Sequence, residues 1–249
     1  MSALLELNSV SKSFGGVKAV QSVSFDIRPG QLVGLIGPNG AGKTTLVNLI
    51  SSHQIPSSGT IKLDLDPIQG LPVFQVARRG IARTYQQNRL FPDDSLADNV
   101  RTGLIWARTG GRQELTYPGC CGPEEERLEA LLTFFGLQTH RNAMPGNLSH
   151  LLRRRAEIAQ ALALAPKLLI LDEPFAGFSK QEAADLTTLL RECQKGGLTI
   201  LLIDHNMEVV MGICEYIFVM HHGALLAQGR PEQVRANLDV VSVYLGGEL

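Results

Sequence analysis

The sequence predicts an α/β fold with a mostly parallel sheet, preceded by an antiparallel β stretch and interrupted by a mainly helical one. Three observations carry this prediction. The apolar run Leu32-Val33-Gly34-Leu35-Ile36 leads into a glycine-rich octet, and Leu46, Val47, Leu49 and Ile50 follow at helical spacing. After Pro166, short apolar runs alternate with amphipathic segments. From about Asn88 to Ala165 the pattern is mainly helical instead. A strand that is apolar throughout belongs in a sheet covered on both faces, which is the parallel kind.

The elements follow in order. Leu4 to Ile27 alternates apolar and polar residues and reads as short antiparallel strands, ending at the turn Arg28-Pro29-Gly30. Leu32–Ile36 is a buried strand, and Thr44 and Thr45 open the helix after the octet. Ile61-Lys62-Leu63 is a further strand behind the turn Pro56-Ser57-Ser58-Gly59. Helices are expected over Leu96–Trp106 and Glu124–Phe135, separated by a Gly/Pro/Cys-rich loop from Thr109 to Pro123. Ser149 is placed to N-cap a third helix that runs to Ala163. Leu168–Leu171 is a buried strand, and Lys180–Cys193 a helix with Ala183, Leu186, Leu189 and Leu190 on one side. Leu198–Ile203 is a strand, Met207–Cys214 a short helix and Ile217–Met220 a strand. In such sheets ligands sit at the carboxyl ends of the strands.

Composition narrows the function classes. The chain has 249 residues, 44% of them hydrophobic, enough for a full core. A net charge of −1 gives no electrostatic footprint for nucleic acid. No basic stretch with a long apolar one opens the chain, and no apolar run reaches the ~18 residues of a membrane span. Membrane association is therefore expected through a partner. Cys120, Cys121, Cys193 and Cys214 lack zinc-ligand spacing and read as free thiols.

Gly37-Pro38-Asn39-Gly40-Ala41-Gly42-Lys43-Thr44 matches the phosphate-binding pattern G-x-x-x-x-G-K-[ST]. Its glycines let successive N–H groups turn toward phosphate oxygens. The Lys43 ammonium suits the β- and γ-phosphates and the Thr44 hydroxyl suits Mg²⁺. With Thr45, the helix N-terminus adds partial positive charge. Nucleoside triphosphate binding is the reading.

Asp172 and Glu173 follow the buried strand at Leu171. Asp172 is read as a Mg²⁺ ligand and Glu173 as the base that orients and deprotonates water. Phosphoryl transfer needs mainly positioning and charge neutralisation, so this minimum suffices. His205, in Ile203-Asp204-His205-Asn206, reads either as a surface histidine or as a contact to the γ-phosphate; periodicity does not separate the two. Gln86 offers a carboxamide oxygen to Mg²⁺ or water, or is polar surface.

In this order the pieces resemble the ATP-binding subunit of an ABC transporter, over about Leu5 to Leu245. The resemblance implies a RecA-like P-loop NTPase fold with an N-terminal antiparallel β subdomain and an α-helical subdomain. The whole chain would be one ATP-binding domain, residues 1–87 and 166–249 forming the β subdomain and nucleotide core and residues 88–165 the helical part. It implies that Phe14 stacks on adenine, that Gln86 links the site to the membrane subunit and that His205 is the switch histidine. Phe14-Gly15-Gly16, Gly80–Gln86, Arg89-Leu90-Phe91 and the tail from Pro231 to Gly246 are similar to the branched-chain amino acid group. That implies import of leucine, isoleucine and valine, or of small amides such as urea. The partners would be two membrane-spanning permease subunits, a second ATPase and, indirectly, a periplasmic or extracellular binding protein. The place would be the cytoplasmic face of the membrane. The surface from Gln86 to Phe91 and around Trp106 would be the docking groove, with Trp106 reading equally as core.

Two stretches depart from the family pattern. The signature, usually near L-S-G-G-Q, reads Leu148-Ser149-His150-Leu151-Leu152, followed by Arg153-Arg154-Arg155. In the family this stretch closes over ATP held by a partner subunit. Leucine there crowds the phosphate, and losing one such donor costs about 3 kcal/mol. The arginines read either as partial compensation by charge or as a solvated helix face, and the solvated face is the expectation. The next loop reads Ala176-Gly177-Phe178-Ser179 where the family has S-A-L-D, or A-G-L-N in this group, and Phe178 and Ser179 put the family's usual contact between the two sites in doubt. A heterodimer is the expectation, with this chain's own site intact and the partner's weakened. A soluble, non-transport ABC ATPase is a second class, disfavoured by the single ATPase unit. A nucleotide-binding regulatory subunit with little hydrolysis is a third, favoured by the broken signature and opposed by Glu173 and His205.

Overall fold

The computed structural model describes residues 2–85, 89–109 and 122–245. Gln86 and the Cys120-Cys121 pair lie outside the described residues. The chain forms two compact units, Met1–Arg79 with Ile200–Leu249, and Gly80–Thr199.

The first unit opens with β1 (Leu5–Phe14) and β2 (Val17–Ile27), an antiparallel pair. These are two long strands rather than several short ones. The alternation in β1 breaks between Leu7 and Val10, where the register shifts and Ser9 takes φ 50. A bulge there lets one strand continue through what reads as a break. After β3 (Leu32–Ile36) and α1 (Lys43–Ile50), β4 (Ser58–Leu63) and β5 (Asp66–Pro67) complete a sheet of order β2-β1-β4-β5. α2 (Val73–Arg79) follows.

The second unit begins with β6 (Ile81–Arg83). Helices α3 (Leu96–Thr109), α4 (Glu124–Phe134) and α5 (His150–Ala163) come next, then β7 (Leu168–Asp172) and α6 (Lys180–Lys195). β6 and β7 pair in parallel, Arg83 opposite Ile170. Ser149 N-caps α5 by accepting the Leu152 N–H at 3.3 Å. Ser179 caps α6 in a full capping box with Glu182. Burial pushes the Cys193 thiol of α6 up to about 12, so it stays protonated and inert.

The chain returns to the first unit with β8 (Thr199–Ile203), α7 (Met207–Ile213), β9 (Tyr216–His221) and β10 (Ala224–Gly229), and ends in α8 (Pro231–Ala236) and α9 (Leu238–Leu245). β3 pairs in parallel with β8 on one side and β9 on the other, and β10 closes the edge antiparallel to β9. Every residue of β3 and β8 is buried. That is why both read as unbroken apolar runs. α2, α8 and α9 fall where the sequence reading assigned no helix. At six to eight residues they are too short for periodicity to declare them.

Candidate nucleotide site

The parallel pairing of β3 delivers the chain into the glycine-rich loop at the strand's carboxyl end. Gly37 has φ 151, and a Cβ there would lie 2.3 Å from the Met220 carbonyl oxygen. Gly42 has φ 98, and its Cβ would lie 2.4 Å from the Ala19 carbonyl oxygen. Neither position admits a side chain, so these glycines are steric requirements of the loop's path. The Ala41 N–H donates to Pro38 at 3.1 Å and the Gly223 N–H to Ala41 at 3.0 Å, closing the loop onto the β9–β10 turn.

The Lys43 ammonium donates to the carbonyls of Gly37 at 2.6 Å and Pro38 at 3.0 Å. It is thus folded back onto the loop's own backbone. α1 has no acidic residue in its own first turn to offset its N-terminal positive end. Thr44 is exposed, and among the described residues its hydroxyl makes no hydrogen bond. Thr45 is half-buried beside it. Pro38, Asn39, Gly40 and Ala41 face a cleft of about 460 Å³ whose other wall includes His221, His222 and Ser242.

Phe14 ends β1 with 46% of its surface exposed, and the Lys12 ammonium lies 5.1 Å from its ring centre. An exposed aromatic beside a cation is a ready platform for a flat base. His205 follows β8 with its side chain 64% exposed, 3.9 Å from the buried Asp204 carboxylate. Burial pushes the Tyr244 phenol up to about 12, and the Gly37 N–H of the loop pulls it back in part.

In the second unit, Asp172 ends β7 and is buried. Its Oδ2 accepts from Arg83 Nη2 at 2.9 Å, with side-chain exposures of 5% and 6%. Among the described residues no hydrogen bond reaches Oδ1. Glu173 is half-buried and has φ 49, a left-handed backbone that costs a non-glycine residue about 1 kcal/mol. The chain turns there, one residue beyond the end of β7. Each unit thus offers a hard oxygen donor of the kind that suits Mg²⁺, the Thr44 hydroxyl in the first and the Asp172 carboxylate in the second.

A family model described as ABC transporter matches residues 20–176. This chain belongs to the ABC transporter family. It is an ABC ATPase and binds nucleotide. A second model, described as branched-chain amino acid ATP-binding cassette transporter, matches residues 224–249. The chain is similar to the high-affinity branched-chain amino acid transport ATP-binding protein LivG of Escherichia coli (strain K12), at 39% identity over 98% of both chains. It is 38% identical to BraF, the corresponding ATP-binding protein of Pseudomonas aeruginosa, again over 98% of both. Among solved structures it resembles the ADP conformation of MJ1267, an ATP-binding cassette of an ABC transporter. The TM-score is 0.85 at 27% identity, over 99% of this chain and 100% of that one.

Against the ABC pattern, the departures in the second unit have local physical explanations. The His150 ring meets the Phe178 ring edge-on, with centres 5.7 Å apart. The two altered stretches thus pack against each other. Ser179 caps α6, and Ser149 caps α5. Leu151 and Leu152 are half-buried on the first turn of α5.

The arginine run corrects the expectation. Arg154 is not on a solvated face: it is buried, pairs with Glu157 at 2.8 Å and donates to the Tyr85 carbonyl at 2.8 Å. Arg155 has 17% side-chain exposure, lies 3.8 Å from Asp185 and donates to the Phe135 carbonyl at 3.4 Å. The mechanism missed from sequence is the i,i+3 pairing of Arg154 with Glu157 on an otherwise Ala/Leu/Ile face. That pairing was the available signal. Burial pushes the Glu157 carboxyl up, and the Arg154 guanidinium and the Arg89 N–H pull it back.

Tyr85, Arg89, Phe91, Trp106 and Gln160 line an apolar cleft of about 250 Å³. Trp106 is half-buried and opens onto this cleft, so it is not sealed in the core. Phe91 is held by Asn99, which is fully buried, accepts the Phe91 N–H at 2.7 Å and donates to its carbonyl at 3.1 Å. Asn99, Arg83 and Tyr244 were not singled out in the sequence.

Proposed function

We propose that this chain is the ATP-hydrolysing subunit of a branched-chain amino acid importer, peripheral at the cytoplasmic face of the membrane. The observation that carries the reading is the match of residues 224–249 to the branched-chain model, joined to 39% identity with LivG along the whole chain. Small amides such as urea are the second substrate class. Among the described residues no helix is long and apolar enough to cross a membrane, so transport needs permease subunits.

Phe14 stacks the base. Gly37 to Thr45 hold the phosphates by backbone N–H groups and by Lys43, whose ammonium exchanges two carbonyls for phosphate oxygens. Thr44, Asp172 and Gln86 would hold Mg²⁺, which when bound neutralises phosphate charge. Glu173 orients the attacking water and takes its proton. His205 donates to the γ-phosphate. The apolar cleft at Phe91 and Trp106 receives a segment of the permease. One domain does this work, with residues 1–87 and 166–249 as the β subdomain and nucleotide core and residues 88–165 as the helical part. A binding protein outside the membrane supplies the substrate.

The second ATPase is a different chain. Leu151 and Leu152 occupy signature positions that would face a partner's ATP, while this chain's own Lys43, Asp172 and Glu173 are intact. The test is reconstitution with the permease pair and the second ATPase. Leucine with its binding protein stimulates ATP hydrolysis and urea does not. Glu173→Gln abolishes turnover by about 10³-fold while fluorescent ATP binding persists. Undiminished turnover in that variant, or full activity of the purified chain as a homodimer, overturns the assignment of the working site.

A further inference from the structure

Arg83 lies at the end of β6, opposite Ile170 of β7, two residues from the strand end that carries Asp172. The strand pairing itself brings the two side chains together. The Thr84 N–H donates to the Ile170 carbonyl at 2.9 Å, and the Asp172 N–H to the Thr84 hydroxyl at 3.4 Å. The guanidinium takes Oδ2 alone and leaves Oδ1. Its Cζ lies over the Tyr85 ring, 5.0 Å from the ring centre, which is also 4.6 Å from the Arg89 Cζ. A guanidinium held over an aromatic ring and paired with a buried carboxylate oxygen has two contacts that restrain it.

We propose that Arg83 is the built-in counter-charge of Asp172, a positioning residue that sets how strongly this carboxylate draws in Mg²⁺. The inference rests on the reading of Asp172 as a metal ligand. A carboxylate so deeply buried is costly without a cation. Arg83 supplies that cation in the metal-free protein and holds the carboxylate in one rotamer. It also cancels part of the negative potential that Mg²⁺ would feel at Oδ1. The pair therefore stabilises the nucleotide-free state and raises the Mg²⁺ concentration needed to complete the site. Nucleotide and metal then arrive together, because the phosphates supply the charge that Asp172 has already spent on Arg83.

The experiment measures the Mg²⁺ concentration for half-maximal binding of a fluorescent ATP analogue. It is done in the full chain carrying Glu173→Gln, so that hydrolysis does not intervene. Arg83→Gln keeps a hydrogen-bond donor and removes the charge, and is expected to shift the Mg²⁺ midpoint downward by about fivefold. Its melting temperature without Mg²⁺ falls, and Mg²⁺ with nucleotide restores part of the loss. Arg83→Lys keeps the charge and leaves the Mg²⁺ midpoint within about twofold. An unchanged or raised midpoint in Arg83→Gln overturns the proposal, since lower stability alone is what a plain β6–β7 bridge gives. Where Arg83→Gln does not fold, Arg83→Lys still decides: a midpoint moved well beyond twofold with the charge retained overturns it. Asp172→Asn separates the two readings. If it leaves the Mg²⁺ requirement as it was, Asp172 is not a metal ligand; if it raises the requirement while Arg83→Gln does nothing, only the role of Arg83 fails.

Discussion

Around Gly37 to Lys43 the groups that manage charge are backbone N–H and C=O, held in place by the absence of side chains. Around Asp172 and Arg154 they are side chains, buried in pairs: Arg83 with Asp172, Arg154 with Glu157. The first arrangement tolerates no added atom, because the chain passes within 2.3 Å of where a Cβ would stand. The second tolerates no missing partner, because each charge is affordable only through the other. The difference teaches that one nucleotide machine uses two kinds of precision, one steric and one electrostatic, and that they fail differently.

Three substitutions test this contrast. The largest expected effect is Gly37→Ala, which forces a methyl group against the Met220 carbonyl oxygen in a backbone region closed to alanine. It should cost about 4 kcal/mol of stability, seen in urea unfolding, with nucleotide binding lost. No second-site change of side chain near it should recover the loss. Next is Arg154→Met, which strands the Glu157 carboxylate and frees the Tyr85 carbonyl, at about 3 kcal/mol. Here the double variant Arg154→Met with Glu157→Leu should recover most of the loss, as a buried ion pair replaced by apolar side chains commonly does. A double variant no better than the single one breaks the contrast. The smallest effect has the opposite sign. Glu173→Gly relieves the φ 49 backbone and should stabilise the chain by about 0.5 kcal/mol while abolishing hydrolysis. If Glu173→Gly is less stable than the unchanged chain, the turn at Glu173 is not strained.

The same contrast explains what the sequence made legible. The phosphate loop is a backbone device, and backbone devices leave glycines at fixed spacing; Gly37, Gly40, Gly42 and Lys43 could be read in order. β3 and β8 were legible because both faces are covered, so the pattern is a solid apolar run. β1 was read as shorter pieces because a bulge at Ser9 interrupts its alternation without ending the strand. The charge pairs were not legible. Arg83 and Asp172 are far apart in the chain and meet only through the β6–β7 register. Arg154, read as solvated, is buried because α5 turns that side inward, and a run of three arginines hides which one turns in. Ser179 was singled out only as a departure from the family's loop, and its role as the cap of α6 emerges with the structure.

The Gly37–Tyr244 contact has a consequence for anyone building chimaeras. The segment that matches the branched-chain model, residues 224–249, contains the tyrosine whose phenol is influenced by the first glycine's N–H. Tail and loop are therefore one module for recombination. A crossover placed at Gly229, ahead of α8, transplants the tail with its tyrosine and offers the loop a whole replacement partner. A crossover inside α9 splices half of one helix onto half of another and leaves the occupant of that contact to chance. Libraries that exchange tails between relatives should be cut at the earlier point.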